Sequence, residues 1–80
     1  MAPNETQQQT YGMEAVGLDF NPSGDPTVHR VKELYSQIID LCADLRKQAG
    51  QGEKGRLLSV AITEAQTAQM WAVKGITYKF

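Results

Sequence analysis

Apolar residues recur three or four positions apart in a long segment that follows Asp25. This spacing puts them on one side of an α-helix and predicts a helix over about 26–48. Asp25 suits the N-cap and Pro26 the first helical position, while Arg46 and Lys47 suit the negative end of the helix dipole. The apolar positions of this helix are Val28, Val31, Leu34, Tyr35, Ile38, Ile39, Leu41, Cys42 and Leu45.

A glycine-rich stretch at 50–55 ends the first helix and predicts a loop. A second helix is expected over about 55–77, with two adjacent apolar stripes. One stripe is made mostly of small residues, which lets another helix approach closely. Its members are Leu57, Ala61, Ala65, Ala68, Ala72 and Gly75, and the other stripe comprises Leu58, Ile62, Val73 and Ile76. The predicted fold is therefore all-α, with two long antiparallel helices forming a hairpin.

The N-terminal part divides into two segments. Residues 1–10 are polar and rich in glutamine without an apolar period, which is typical of a disordered or loosely ordered arm. Residues 11–20 hold Tyr11, Val16, Leu18 and Phe20 close together, but two glycines disfavour a long helix. We expect a short helix or an extended segment docked on an apolar surface, so that residues 11–80 form a single helical-hairpin domain.

The predicted hairpin has more apolar surface than two helices can shield. A chain of 80 residues forms a small core that usually needs disulfides, metal or oligomerisation. Cys42 is the only cysteine and His29 the only histidine, which excludes an intrachain disulfide and disfavours a metal site. We therefore expect a compact homo-oligomer. It would bury the surface formed by Tyr35, Ile39, Met70 and Trp71. The alternative is a monomeric hairpin covered by residues 11–20.

The charge pattern limits the class of ligand. A net charge of −1 argues against a DNA or RNA polymer as partner. Residues 1–26 hold four acids and no base, whereas residues 27–80 hold eight Lys and Arg against five acids, which suits a small anion. The chain has no signal-peptide pattern and no apolar run near the roughly 18 residues of a spanning helix. We expect a cytoplasmic protein without a membrane partner.

Candidate catalytic groups are sparse, whereas groups that could bind a nucleotide are present. His29 is expected on the helix surface, and the glycines at 50–55 lack the spacing of a phosphate loop. Arg30 and Lys32 lie near a helix N-terminus, which favours phosphate. Tyr11 and Phe20 precede that helix and could stack on bases. Arg56 opens the second helix. No cofactor is expected.

The sequence from Arg56 to Thr77, RLLSVAITEAQTAQMWAVKGIT, resembles a motif of small phage-encoded helical-hairpin proteins. These are the anti-CBASS and anti-Thoeris cyclic-nucleotide sponges. Met70-Trp71-Ala72-Val73-Lys74 followed by Ile76-Thr77 is the most specific part, and Arg56, Ala61 and Thr63 precede it at the expected distances. Phe20-Asn21-Pro22-Ser23-Gly24, Val28, Val31-Lys32 and Ile38-Ile39-Asp40-Leu41 are similar too, so that the resemblance covers about residues 20–80. Gly75 departs from the alanine that is more common there.

The resemblance implies a homohexamer that sequesters cyclic oligonucleotide signals in the cytoplasm of an infected bacterium without cleaving them. The ligands would be cyclic dinucleotides such as 3′,3′-cGAMP, and cyclic trinucleotides in a second kind of pocket. It implies that Tyr11 stacks on bases and that Lys32 meets phosphate, with Arg56 and Thr63 as candidates for the trinucleotide pocket. An alternative hypothesis is a helical oligomer that binds a host protein and no nucleotide. A third hypothesis is that the protein is an enzyme.

Overall fold

The computed structural model describes residues 8–79 and confirms the all-α fold. Within this range the chain forms helices α1 (Tyr11–Val16), α2 (Pro26–Ala49) and α3 (Glu53–Ile76), and no strand. The two long helices form the predicted hairpin, although α3 begins two residues earlier than the sequence suggested. Most of the predicted N-terminal arm, residues 1–7, lies outside the described residues, as does Phe80.

Helix α1 is short because both of its ends are fixed by local hydrogen bonds. The Thr10 hydroxyl caps the N-terminus by accepting from the Met13 amide at 3.1 Å. Gly17 ends the helix with φ +62°, a left-handed conformation that glycine adopts without strain. Leu18 then donates its amide to the Met13 carbonyl at 3.0 Å and buries its side chain. The segment predicted as either helical or extended is thus one short helix followed by a turn.

Helix α2 starts as its sequence predicted. The Asp25 carboxylate accepts from the Thr27 amide at 2.8 Å, and Pro26 occupies the first turn. Gly50 ends α2 with a positive φ of 72°. Gly55, in the first turn of α3, packs against the end of α2 so closely that a Cβ there would lie 2.6 Å from the Gly50 carbonyl oxygen. This contact sets the tight angle at the closed end of the hairpin.

The core lies where all three helices meet. Ile39 of α2 is fully buried and Ile62 of α3 is 2% exposed, and both pack with Val16 and Leu18 from α1 and its turn. Side chains at the edge of this cluster include Met13, Tyr35, Cys42 and Ala65. Residues 11–20 therefore supply part of the core.

Helix α1 approaches α2 at the position of Gly12. Its amide donates to the Asp40 carboxylate at 2.7 Å, and a Cβ at this position would lie only 2.1 Å from the Ser36 carbonyl oxygen. Only glycine fits this contact. Asp40 thus anchors α1 on the side of α2 that the short helix crosses.

Large apolar side chains remain exposed on the outer sides of both long helices. On α2 they recur at alternating spacings of four and three residues, and we refer to Leu34, Ile38, Leu41 and Leu45 as the α2 seam. On α3 the most exposed are Met70 and Trp71, at 60% and 66%. The surplus apolar surface predicted from the sequence is therefore present at Met70 and Trp71. The prediction was wrong for Ile39, which is fully buried, and Tyr35 is partly buried, because α1 and α3 pack on that side of α2. No helix within residues 8–79 is long and apolar enough to span a membrane.

Candidate functional site

Lys32 is the buried cation of the described chain, with an exposure of 6%. Its Nζ donates to the Gly17 carbonyl at 3.0 Å and to the Phe20 carbonyl, and it lies 5.6 Å from the centre of the Phe20 ring. Two of the three ammonium donors are thus paired with the turn that follows α1, and the ring face adds a cation–π contact. Lys32 therefore fixes the position of Phe20.

Two surface hollows meet at this lysine. One, of about 310 Å³, lies between Phe20, the 21–23 turn and the open end of the hairpin at Val73 and Thr77. The other, of about 490 Å³, lies between α1 and α3 and is bordered by Gln69 and Met70. Phe20, Lys32 and Val73 line both hollows. Each is of a size that small ligands use. The first hollow has mostly apolar walls and one cation, which suits a base that carries a phosphate. The second hollow is also lined by Glu14, whose carboxylate disfavours a phosphate there.

The turn that forms one wall is held by side-chain hydrogen bonds. The Asn21 side-chain nitrogen Nδ2 donates to the Asp25 carbonyl at 3.0 Å. The Ser23 hydroxyl donates to the Asn21 side-chain oxygen at 2.6 Å. The Ser23 oxygen also accepts from the Asp25 amide at 3.1 Å. This Asn-Pro-Ser-Gly sequence, identified above as part of the resemblance, thus forms a defined wall beside Lys32 and also leads into the α2 N-cap.

Tyr11 lies at the other end of α1. Its ring is 51% exposed, and the Arg46 guanidinium carbon lies 5.9 Å from the ring centre. Arg46 also donates from Nη1 to the Ser59 hydroxyl of α3 at 3.1 Å. Arg46 follows Lys32 by fourteen residues, about 21 Å along α2. The aromatic and cationic candidates of one chain therefore form two groups, Phe20 with Lys32 and Tyr11 with Arg46.

The remaining three predicted residues are solvent-exposed and lie apart from both groups. Arg30 pairs with Glu33 at 3.3 Å. Arg56 pairs with Glu53 through two contacts of 2.9 and 2.6 Å, and this hydrogen-bonded pairing lowers the pKa of Glu53 and raises the pKa of Arg56. The Thr63 side chain is exposed on α3, and its carbonyl accepts from the Thr67 hydroxyl at 3.3 Å. The structure does not bring Arg30, Arg56 or Thr63 to the hollows at Lys32.

The sequence did not identify Arg46 as a site residue. It was assigned to the end of the helix dipole, because nothing in the sequence gives the position of α1 on α2. His29, the single imidazole, lies 3.8 Å from Glu33 on the exposed first turns of α2. Residues 8–79 contain no cluster of three or more His, Cys, Asp or Glu side chains that could hold a metal ion.

Comparison with known proteins assigns the chain to a family. The model of the Acb2/Tad1 hairpin domain matches residues 13–77, which span α2, α3 and α1 from Met13 onwards. Searches of curated proteins and of solved structures gave no match. The family is known for phage anti-defence proteins that act as cyclic-nucleotide sponges, which bind and do not catalyse. Because the match covers most of the sequence, the chain belongs to the Acb2/Tad1 hairpin-domain family.

Proposed function

We propose that this protein binds cyclic oligonucleotide second messengers and holds them intact, so that they do not activate CBASS effectors. The ligands are cyclic dinucleotides such as 3′,3′-cGAMP and, in separate pockets, cyclic trinucleotides. The protein acts in the cytoplasm of the infected bacterial host. Membership of the Acb2/Tad1 hairpin-domain family over residues 13–77 is the observation that carries this proposal.

The dinucleotide pocket uses Tyr11, Phe20, Arg30 and Lys32. Phe20 supports this role because its ring, 71% exposed, stands beside the Lys32 ammonium at the junction of two hollows. An aromatic face can stack on a base, and the remaining ammonium donor can reach a phosphate. Arg56 and Thr63 line the trinucleotide pocket. Both are exposed on the outer surface of α3, where a neighbouring chain could complete a pocket.

The protein works as a homo-oligomer, and we propose a hexamer. The α2 seam supports assembly because its four side chains are between 38% and 60% exposed and follow the alternating spacing of a helix–helix interface. Tyr11 and Lys32 also favour shared pockets. In one chain Lys32 contacts Gly17 after the C-terminal end of α1, whereas Tyr11 begins this helix and faces Arg46. The two residues reach one compact ligand most readily when they come from different chains.

The first experiment is calorimetry of the purified protein against a panel of cyclic di- and trinucleotides, with sedimentation of the same sample. The proposal expects tight binding of at least one 3′,3′-cyclic dinucleotide to an oligomer. If the protein instead binds a host protein through the α2 seam, we expect an oligomer or complex that shows no thermal shift with any cyclic nucleotide. Linear products in the bound fraction would instead indicate a phosphodiesterase.

A further inference from the structure

Arg46 is held between all three helices, although it pairs with no acid in the described chain. Its Nη1 donates to Ser59 of α3 at 3.1 Å, while its guanidinium carbon lies 5.9 Å from the centre of the Tyr11 ring of α1. Within residues 8–79 the ion pairs join His29 and Arg30 to Glu33 and Arg56 to Glu53, and none includes Arg46. A guanidinium carries five N–H donors, so one bond to Ser59 leaves most of them available.

The other cations near an aromatic ring or a helix start are less suited to a ligand on Tyr11. Lys32 has two of its three donors paired with backbone carbonyls and is 6% exposed. Arg30 and Arg56 are already paired with acids on their own helices. Among the cations of residues 8–79, only Arg46 combines a fixed position, unused forked donors and contact with the Tyr11 ring. Such donors match two oxygens of one phosphate at once.

We propose that Arg46 binds a phosphate of a nucleotide whose base stacks on Tyr11. The assignment rests on the proposed function and specifies its site: Tyr11 provides the stacking surface, Arg46 the forked donor, and Ser59 holds the guanidinium in place. The ligand class is a phosphodiester that carries a purine base. Phe20 and Lys32 then form the second, separate aromatic–cation pair of the chain.

The test is calorimetry of the full chain with 3′,3′-cGAMP at low and high salt. Arg46→Gln is expected to bind about 10- to 100-fold more weakly than wild type, the range for loss of hydrogen bonds to a charged group, with a flatter salt dependence. Lys47→Gln is the matched control, since Lys47 is an exposed cation on the next position of α2. The affinity of Lys47→Gln is expected to stay within about threefold of wild type. Ser59→Ala removes the hydrogen bond that positions the guanidinium but keeps the charge. Its affinity should therefore fall between those of wild type and Arg46→Gln, with the salt dependence of wild type.

Arg46→Lys keeps the positive charge but loses the paired N–H donors of the guanidinium. It is therefore expected to bind 3′,3′-cGAMP about three- to tenfold more weakly, with unchanged helicity. This variant decides the question if Arg46→Gln does not fold. Wild-type affinity in Arg46→Lys and Arg46→Gln overturns the assignment. Weaker binding by Arg46→Gln with the salt dependence of wild type overturns it too, since Arg46 would then be only a clamp between helices. A wild-type chain that binds no cyclic dinucleotide overturns the proposed function, and the assignment with it.

Discussion

Replacing Gly12 with alanine is expected to push α1 away from α2. The new Cβ would lie 2.1 Å from the Ser36 carbonyl oxygen, and 2.9 Å from both the Ser36 carbonyl carbon and the Asp40 carboxylate. Two of these three contact atoms belong to the backbone. Because the backbone of α2 cannot yield locally, α1 has to move. The hydrogen bond of 2.7 Å from the Gly12 amide to Asp40 then lengthens or breaks.

The expected loss of stability follows from these contacts. A hydrogen bond to a charged group contributes about 1.5–3 kcal/mol, and partial exposure of Val16 and Leu18 adds about 1–2 kcal/mol. We therefore expect Gly12→Ala to lower the free energy of unfolding by about 2.5–5 kcal/mol, out of a total of about 4–12 kcal/mol for a domain of this length. At about 4–8 °C per kcal/mol, Tm should fall by about 10–40 °C.

The measurement is thermal unfolding followed by circular dichroism, at one fixed protein concentration because the proposed assembly would make Tm depend on concentration. Gly75→Ala is the matched control. Gly75 lies within α3 and nothing is within 4 Å of a Cβ there, so the same chemical change should raise stability by somewhat under 1 kcal/mol. A Gly12→Ala variant as stable as wild type would refute the close contact between α1 and α2.

Three further predictions address the two ends of the hairpin and its surface. Gly55→Ala places a Cβ 2.6 Å from the Gly50 carbonyl oxygen, and we expect the free energy of unfolding to fall by about 1–3 kcal/mol, measured by urea unfolding. An unchanged urea midpoint would contradict the close contact between Gly55 and Gly50. Lys32→Met leaves the Gly17 and Phe20 carbonyls without their donor, so Tm should fall. The affinity for 3′,3′-cGAMP should fall at least about tenfold, and wild-type affinity would show that Lys32 is not part of the site. The double substitution Ile38→Lys and Leu41→Lys places two charges in the α2 seam, where these residues are 52% and 60% exposed. Sedimentation should then give smaller species at unchanged helicity. An oligomer of wild-type size would show that the seam faces solvent.

The long helices were predictable because their information is local. Asp25 and Pro26 start α2 in the structure as their side chains indicate, and the spacing of apolar residues needs no knowledge of the partner. The start of α3 was less predictable. Gly52 precedes the helix without a side-chain cap, so the sequence gives no signal there, and the glycines suggested a loop that reached Gly55.

The position of α1 was not predictable, since it depends on contacts between residues far apart in sequence. Gly12 and Asp40, which form its anchor, are separated by 28 positions. Two glycines correctly disfavoured a long helix, but their separate purposes appear only in the fold: Gly12 permits close approach and Gly17 ends the helix with positive φ. The pairing of Tyr11 with Arg46 follows from this placement, so the sequence named the tyrosine and missed the arginine.

The small core of this chain leaves large apolar side chains exposed on both long helices. Its core joins three helices around Ile39 and Ile62, while the α2 seam and Trp71 stay exposed. Surface of this kind destabilises a solitary chain in water and stabilises an assembly. A sponge needs affinity and abundance and no turnover, and pockets that several chains complete would meet this need with few residues per site.

Recovery of the ligand after binding distinguishes sequestration from cleavage. The protein is incubated with 3′,3′-cGAMP, freed of unbound nucleotide, heat-denatured, and the released nucleotide is identified by chromatography and mass. If the protein sequesters its ligand, the released nucleotide will be intact cyclic dinucleotide, in an amount that matches the binding stoichiometry measured by calorimetry. Linear dinucleotide or mononucleotides in the released fraction, or no nucleotide carried through with the protein, would contradict it.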